Sequence, residues 1–125
     1  MITEYQFQRA TLEQLTDCVK WTLNLLQMRD WQVVVYDIGS NPGDYGNAVW
    51  DNTFNGKIWV DVAGCKVDGK NPFTVAIHEV LHLLIIYRTG KEDIDDETVV
   101  LTLEPIIYRD YCRANKRRIA KEIQK

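Results

Sequence analysis

The stretch IHEVLH, residues 77–82, holds the two histidines of this chain, His78 and His82, with Glu79 directly after the first. In a helix, residues four apart lie on one face. Both imidazoles can then turn a ring nitrogen to a single atom. Zinc suits that arrangement, because it accepts nitrogen ligands at about 2.0–2.1 Å in tetrahedral geometry. Glu79 lies about 100° round the helix from His78, near such a metal but off the ligand direction. A carboxylate there can take a proton from a water on the metal, which is the physical content of the H-E-x-x-H motif. From Val75 to Ile86 these three are the only polar side chains. Burying them without partners would cost several kcal/mol. A zinc would satisfy both histidines, and an active-site water the glutamate. The competing account is a core helix whose histidines bond to backbone carbonyls.

A catalytic zinc usually takes three protein ligands and leaves one position for water. There is no third histidine, and Ile85 and Arg88 occupy the later positions of H-E-x-x-H-x-x-G-x-x-H, which excludes the metzincin arrangement. The third ligand is therefore expected among the carboxylates that follow: Asp93, Asp95, Asp96, Glu97 and Glu104. Glu97, Leu101 and Glu104 share one helix face, with Val100 beside them. A carboxylate on an apolar, inward face needs a reason to be buried, and a metal is one. Asp93, Asp95 and Asp96 are more easily solvated caps. Glu97 is favoured, with Glu104 and Asp96 as alternatives. Glu104 has a second role open to it, as acceptor for a histidine N–H. The ordinary reading of both glutamates is an exposed helix face.

The elements that must position these residues follow from periodicity. Leu12, Leu15, Val19, Leu23 and Leu26 recur at helical spacing, so 11–28 reads as an amphipathic helix. WQVVVYDI gives a strand over 32–37, and GSNPGDYGN a loop. Asn55-Gly56 is the preferred pair for a two-residue hairpin turn, flanked by strands over 46–52 and 57–63. GCKVDGKNP reads as a second loop. Asn71 is a good N-cap with Pro72 at the first helical position, and Gly90 a stop. The helix between, 72–88, is apolar nearly all round, as a buried helix is. The acidic connector KEDIDD leads to a helix from Asp95 or Asp96, which Pro105 should kink or restart. Helical character continues to about 120.

Composition sets the frame. The chain has 125 residues, 46% of them hydrophobic and 26% charged, which fits one domain spanning 1–125 with a real core. Its net charge of −3 does not suit a chain built to sit on nucleic acid. Residues 113–125 depart from this, with six cations against Glu122 alone. That basic tail reads as a solvated helix end whose charges suit the dipole. Contact with nucleic acid or an acidic protein is its functional alternative. Cys18, Cys65 and Cys112 are widely spaced with no C-x-x-C pair, so reduced thiols in a cytoplasmic setting are expected. The N-terminus lacks the pattern of a signal peptide. The longest apolar run, Val75 to Tyr87, is too short to span a bilayer, and no membrane association is expected.

HEVLHLL followed by DETVVLTLE resembles the small gluzincin-type zinc metallopeptidase-like proteins, many of them phage-encoded. These are related in style to SprT-like and ImmA/IrrE-like minimal zincins. The resemblance extends more loosely to LLQMRDWQVVVYDI and the hairpin, and covers roughly 20–110. It implies an α+β, zincin-like fold: a small, mostly antiparallel sheet of about three strands packed on the H-E-x-x-H helix, with helices before and after. By motif it implies His78 and His82 as zinc ligands, Glu79 as general base and Glu97 as third ligand. The chain departs at Leu101, where larger gluzincins often place an acid that holds a histidine.

The activity expected is zinc-dependent hydrolysis of a peptide bond in a protein or peptide substrate. A substrate strand could add to a sheet edge near the hairpin, with Trp50 and Trp59 lining the cleft. Tyr87, Tyr108 and Tyr111 are candidate donors to the oxyanion. All five aromatics are more often core residues. The alternative function is a zincin-fold protein that binds a host or phage partner with little or no turnover.

Overall fold

The computed structural model describes residues 11–37, 45–51, 53–89 and 94–115, with backbone alone at 89 and 94–96. In chain order these form α1 (Leu12–Leu25), β1 (Gln32–Asp37), β2 (Gly46–Trp50), β3 (Asn55–Val60), α2 (Val62–Asp68), α3 (Pro72–Thr89) and α4 (Ile94–Ala114). The class is α+β, as expected. The N-terminal segment, the 38–44 loop, the acidic connector before Ile94 and the basic tail from Lys116 lie outside the described residues.

Helix α1 starts where Thr11 and Gln14 cap each other. The Gln14 N–H donates to the Thr11 hydroxyl oxygen at 3.2 Å, and the Thr11 N–H to Gln14 Oε1 at 2.9 Å. Two orphan amides of the first turn are thereby satisfied. Leu15, Val19 and Leu23 form the buried stripe of this helix.

The sheet has strand order β1-β3-β2. β3 runs parallel to β1 and antiparallel to β2. The expected mostly antiparallel sheet is therefore corrected to a mixed one. The last strand in sequence inserts at the centre, because Ile58 and Val60 must lie deepest, and both are fully buried. Val35 of β1 joins them on the inner face. Val34 and Tyr36 alternate to the outer face and are exposed.

The hairpin turn also differs from expectation. Asn55 and Gly56 belong to β3, and the chain reverses before them. Asp51 decides this: its carboxylate accepts from the Thr53 N–H (2.8 Å), the Thr53 hydroxyl (2.6 Å) and the Asn55 N–H (3.2 Å). Phe54 takes the left-handed conformation that the tight turn requires, with φ of 62°. A Cβ at Gly56 would stand in ordinary contact with Leu83 Cδ1 (3.4 Å) and Val33 Cγ2 (3.5 Å), where α3 lies against the sheet.

The segment expected as a second loop contains α2. Asp61 ends β3 and caps the helix by accepting from the Gly64 N–H at 2.9 Å. Gly69, at φ 70°, closes it in the left-handed region. Buried Cys65 anchors it to the core.

Asn71 caps α3 by accepting from the Phe73 N–H at 2.9 Å, with Pro72 at the first helical position as expected. α3 packs against α1, α4, β2 and β3. Its Ala76, Ile77, Val80, Leu81 and Leu83 are all buried. At about 1.5–3 kcal/mol for each large aliphatic side chain, this helix contributes a main share of the core. Val100, Ile107 and Tyr111 supply the facing side of α4. Pro105 does not restart α4, which runs unbroken through it. Pro105 removes a donor from the Leu101 carbonyl, and Leu101 is exposed, so water can take that place. Among the described residues no helix is long and apolar enough to cross a membrane.

Candidate metal centre

α3 carries His78, Glu79 and His82 along the strip that faces the first turns of α4. His78 Nε2 and His82 Nε2 lie 3.0 Å apart. The Glu97 carboxylate straddles them, with Oε1 3.1 Å from His78 Nε2 and Oε2 3.0 Å from His82 Nε2. Among the described residues these three form the one group of metal-ligating side chains with all donor atoms within 4.8 Å of one another. Two donors held tetrahedrally at zinc's usual 2.0–2.1 Å stand roughly 3.3 Å apart. The two imidazole nitrogens, 3.0 Å apart, stand close to that spacing with the carboxylate beside both, and two nitrogens with one carboxylate are customary donors to zinc.

His78 Nδ1 lies 2.8 Å from Glu104 Oε2. The neutral ring donates its Nδ1–H to that carboxylate, and its Nε2 lone pair is left facing His82 and Glu97. Glu104 stands two helical turns after Glu97 on α4, and the contact with His78 comes from there. Leu101 instead lines the adjoining cleft and is 57% exposed. The hydrogen bond to Glu104 raises the His78 pKa above its ordinary value against the opposing effect of burial, and the Glu97 charge adds to the rise.

The face of α4 expected to turn inward is the wall of an open cleft. The Glu97 side chain is 50% exposed, against 20% and 18% for the two histidines. The donor triangle is therefore shielded by α3 and opens toward solvent beside Glu97. Asp93 lies outside the described residues, as do the side chains of Asp95 and Asp96.

Glu79 stands apart from the donor triangle. It is half-buried and lines a cleft of about 350 Å³ together with His78 and Glu104. β2 approaches closely here because residue 46 is glycine. A Cβ at Gly46 would meet Val75 Cγ1 at 2.6 Å, the Trp59 carbonyl oxygen at 3.1 Å and Glu79 Cγ at 3.4 Å.

Tyr45, Lys70 and Thr74 also line the cleft, and sequence reasoning missed all three. Tyr45 donates its hydroxyl proton to Asp68 Oδ2 at 2.6 Å, across 23 residues, and no local pattern announces such a pair. Thr74 was legible in principle, one helical turn before His78 on the same face. The aromatics proposed for this role lie elsewhere. Trp59 stacks on Tyr36 across the outer sheet face, with ring centroids 5.7 Å apart. Trp50 is exposed at the end of β2. Tyr87 packs with Trp31 and Phe54, and Tyr111 is buried against Trp21 and Phe73. Tyr108 is half-buried beside Cys112, and burial pushes its hydroxyl pKa up.

None of the three cysteines is in a disulfide. Burial, with the Asp61 charge behind it, pushes the Cys65 thiol up to about 11, so it stays protonated at neutral pH. Among the described residues the clustered donors that could hold a metal are nitrogen and oxygen.

Comparison with known proteins gives no match: no family model, no curated protein and no solved structure matches this chain.

Two predictions follow from this geometry. His78→Ala or His82→Ala should abolish zinc binding measured by titration against a chromophoric chelator. Glu104→Ala should weaken it about 10–100-fold, as loss of an orienting partner does, and Glu97→Ala should weaken it more. Equal effects of Glu97→Ala and Glu104→Ala would reverse the roles given to them.

Protons compete with zinc for the same imidazole atoms. Because the His78 pKa is raised, affinity should fall with decreasing pH from a point above the ordinary imidazole value of about 6.5. Glu104→Gln removes the largest raising cause and should move that fall to lower pH. An affinity independent of pH between about 5 and 8 would contradict the assignment.

Proposed function

We propose that this protein is a zinc-dependent peptidase with a small zincin-like fold. In this reading His78, His82 and Glu97 hold the metal, Glu104 orients His78, and Glu79 is the general base. The observation that carries it is the separation of roles along α3: two histidines turn toward Glu97, while Glu79 lines the open cleft alongside. A purely structural metal site needs neither a cleft nor a carboxylate held beside it.

A zinc bound to these donors would acidify a water and polarise a substrate carbonyl. The work of the chain's own residues is more specific. Glu79 accepts the proton from the attacking water and passes it to the leaving amine. Val75 and Gly46 fix where its carboxylate can stand, since the glycine leaves room for the Glu79 stem. Glu104 keeps the His78 ring in one tautomer through turnover. β2 is an edge strand among the described residues, and an extended peptide could pair with it alongside the cleft.

Glu79→Gln separates catalysis from binding. The amide keeps the shape but cannot take the water's proton at neutral pH. The variant should fold, hold one zinc and cleave peptides about 10²–10⁴-fold more slowly than wild type. This is measured by a proteolysis screen with and without chelator. Cleavage by the Gln variant at the wild-type rate would rule Glu79 out as base. A wild type that holds zinc but cleaves nothing would favour a partner-binding role instead.

A further inference from the structure

Resting on the peptidase reading, we propose that Lys70 selects substrates bearing a carboxylate two or three residues from the bond that is cut.

Lys70 lines the same cleft as Glu79 and His78. Its backbone is pinned at a junction between helices. Its N–H donates to the Cys65 carbonyl at 2.8 Å, behind the left-handed Gly69, and the next residue, Asn71, caps α3. The side chain therefore starts from a fixed point.

The ammonium is not committed to any carboxylate of the chain among the described residues. The nearby acid, Asp68, receives the Tyr45 hydroxyl instead, and Lys70 Nζ sits 5.8 Å from the Tyr45 ring centroid. Such an exposed cation–π contact is weak enough to yield to a carboxylate. Thr74, between Lys70 and His78 along the cleft, turns its hydroxyl back onto the Asn71 carbonyl at 2.8 Å. The N-terminus of α3 adds positive potential at the same end. Among the charged side chains that line the cleft, Glu79 and Glu104 are acids, and Lys70 is the cation.

The spacing sets the selectivity. From Pro72 to His78 the helix rises about 9 Å. An extended peptide covers that in roughly three residues at about 3.3–3.4 Å each. Glu79 and Glu104 repel an acidic group placed next to the cut, whereas Lys70 attracts one at the far end. The carboxylate can be an Asp or Glu side chain or the free C-terminus of a short peptide. Its distance from the cut bond is the recognised feature.

The test uses labelled hexapeptide mixtures with Glu or Gln fixed at each position in turn, each as free acid and as C-terminal amide. Cleavage by wild-type protein with zinc is read by mass spectrometry. Binding to the zinc-loaded Glu79→Gln variant is read by fluorescence anisotropy, with and without Lys70→Ala or Lys70→Glu. The expected result is about a fivefold preference for the carboxylate at that distance, as one partly screened charge pair gives. Lys70→Ala should abolish the preference and Lys70→Glu reverse it, so that Gln is favoured over Glu at that position. The Glu series and the free-acid series separate side chain from C-terminus. Cleavage without acid preference, or a preference that survives Lys70→Ala, overturns the inference while leaving the peptidase reading intact. Acid-selective binding that depends on Lys70 without any cleavage overturns the peptidase reading and keeps the carboxylate site. Neither cleavage nor preference overturns both.

Discussion

α3 packs against two helices and two strands, and that position constrains everything else in the molecule. A helix so placed can release polar side chains from the core only along one strip. His78, Glu79 and His82 occupy that strip, and α4 must meet it with groups that satisfy two imidazoles. Glu97 and Glu104 meet that need from different turns of one helix, one at the Nε2 atoms and the other behind His78 at Nδ1. Each histidine–carboxylate contact offsets part of the cost of bringing those rings out of water.

The sheet and Gly46 serve the same end. β3 at the centre of the sheet brings Ile58 and Val60 under α3. Gly46 lies where a side chain would hold β2 away from that helix. It matters to the chemistry, because the close approach it permits sets β2 beside Glu79. Among the described residues the cleft is thus bounded by an edge strand, the polar strip of α3 and the exposed Leu101 of α4. The fold opens the polar strip to solvent in a cleft that Glu79 lines.

Much of this was legible in the sequence because it is local. The four-residue spacing of His78 and His82, the shared face of Glu97 and Glu104, and the Asn71-Pro72 start of α3 all depend on helical periodicity. What was not legible depends on distant contacts or on side chains competing for the backbone. Asp51 draws the hairpin turn ahead of Asn55-Gly56 by accepting three hydrogen bonds. Asp61 turns an expected strand end into a helix cap. Pro105 is tolerated because the freed carbonyl lies at an exposed residue. The parallel pairing of β1 with β3 follows from burial of Ile58 and Val60, which no window of the sequence displays. Tyr45 and Lys70 reach the cleft only once α2 has brought Asp68 and Gly69 into place. The depth of α4 was also misjudged, since Val100 is buried while Leu101 and Glu97 on the neighbouring face reach solvent.

The central claim is that two imidazole nitrogens and one carboxylate build a three-donor zinc site. The most direct measurement is X-ray absorption at the zinc edge on protein loaded with one equivalent of zinc at neutral pH. The account predicts a first shell of nitrogen and oxygen at about 2.0–2.1 Å, with the outer-shell scattering of two imidazoles and a coordination number of at least four. A sulfur shell near 2.3 Å, a single imidazole, or protein that takes up no zinc would contradict it.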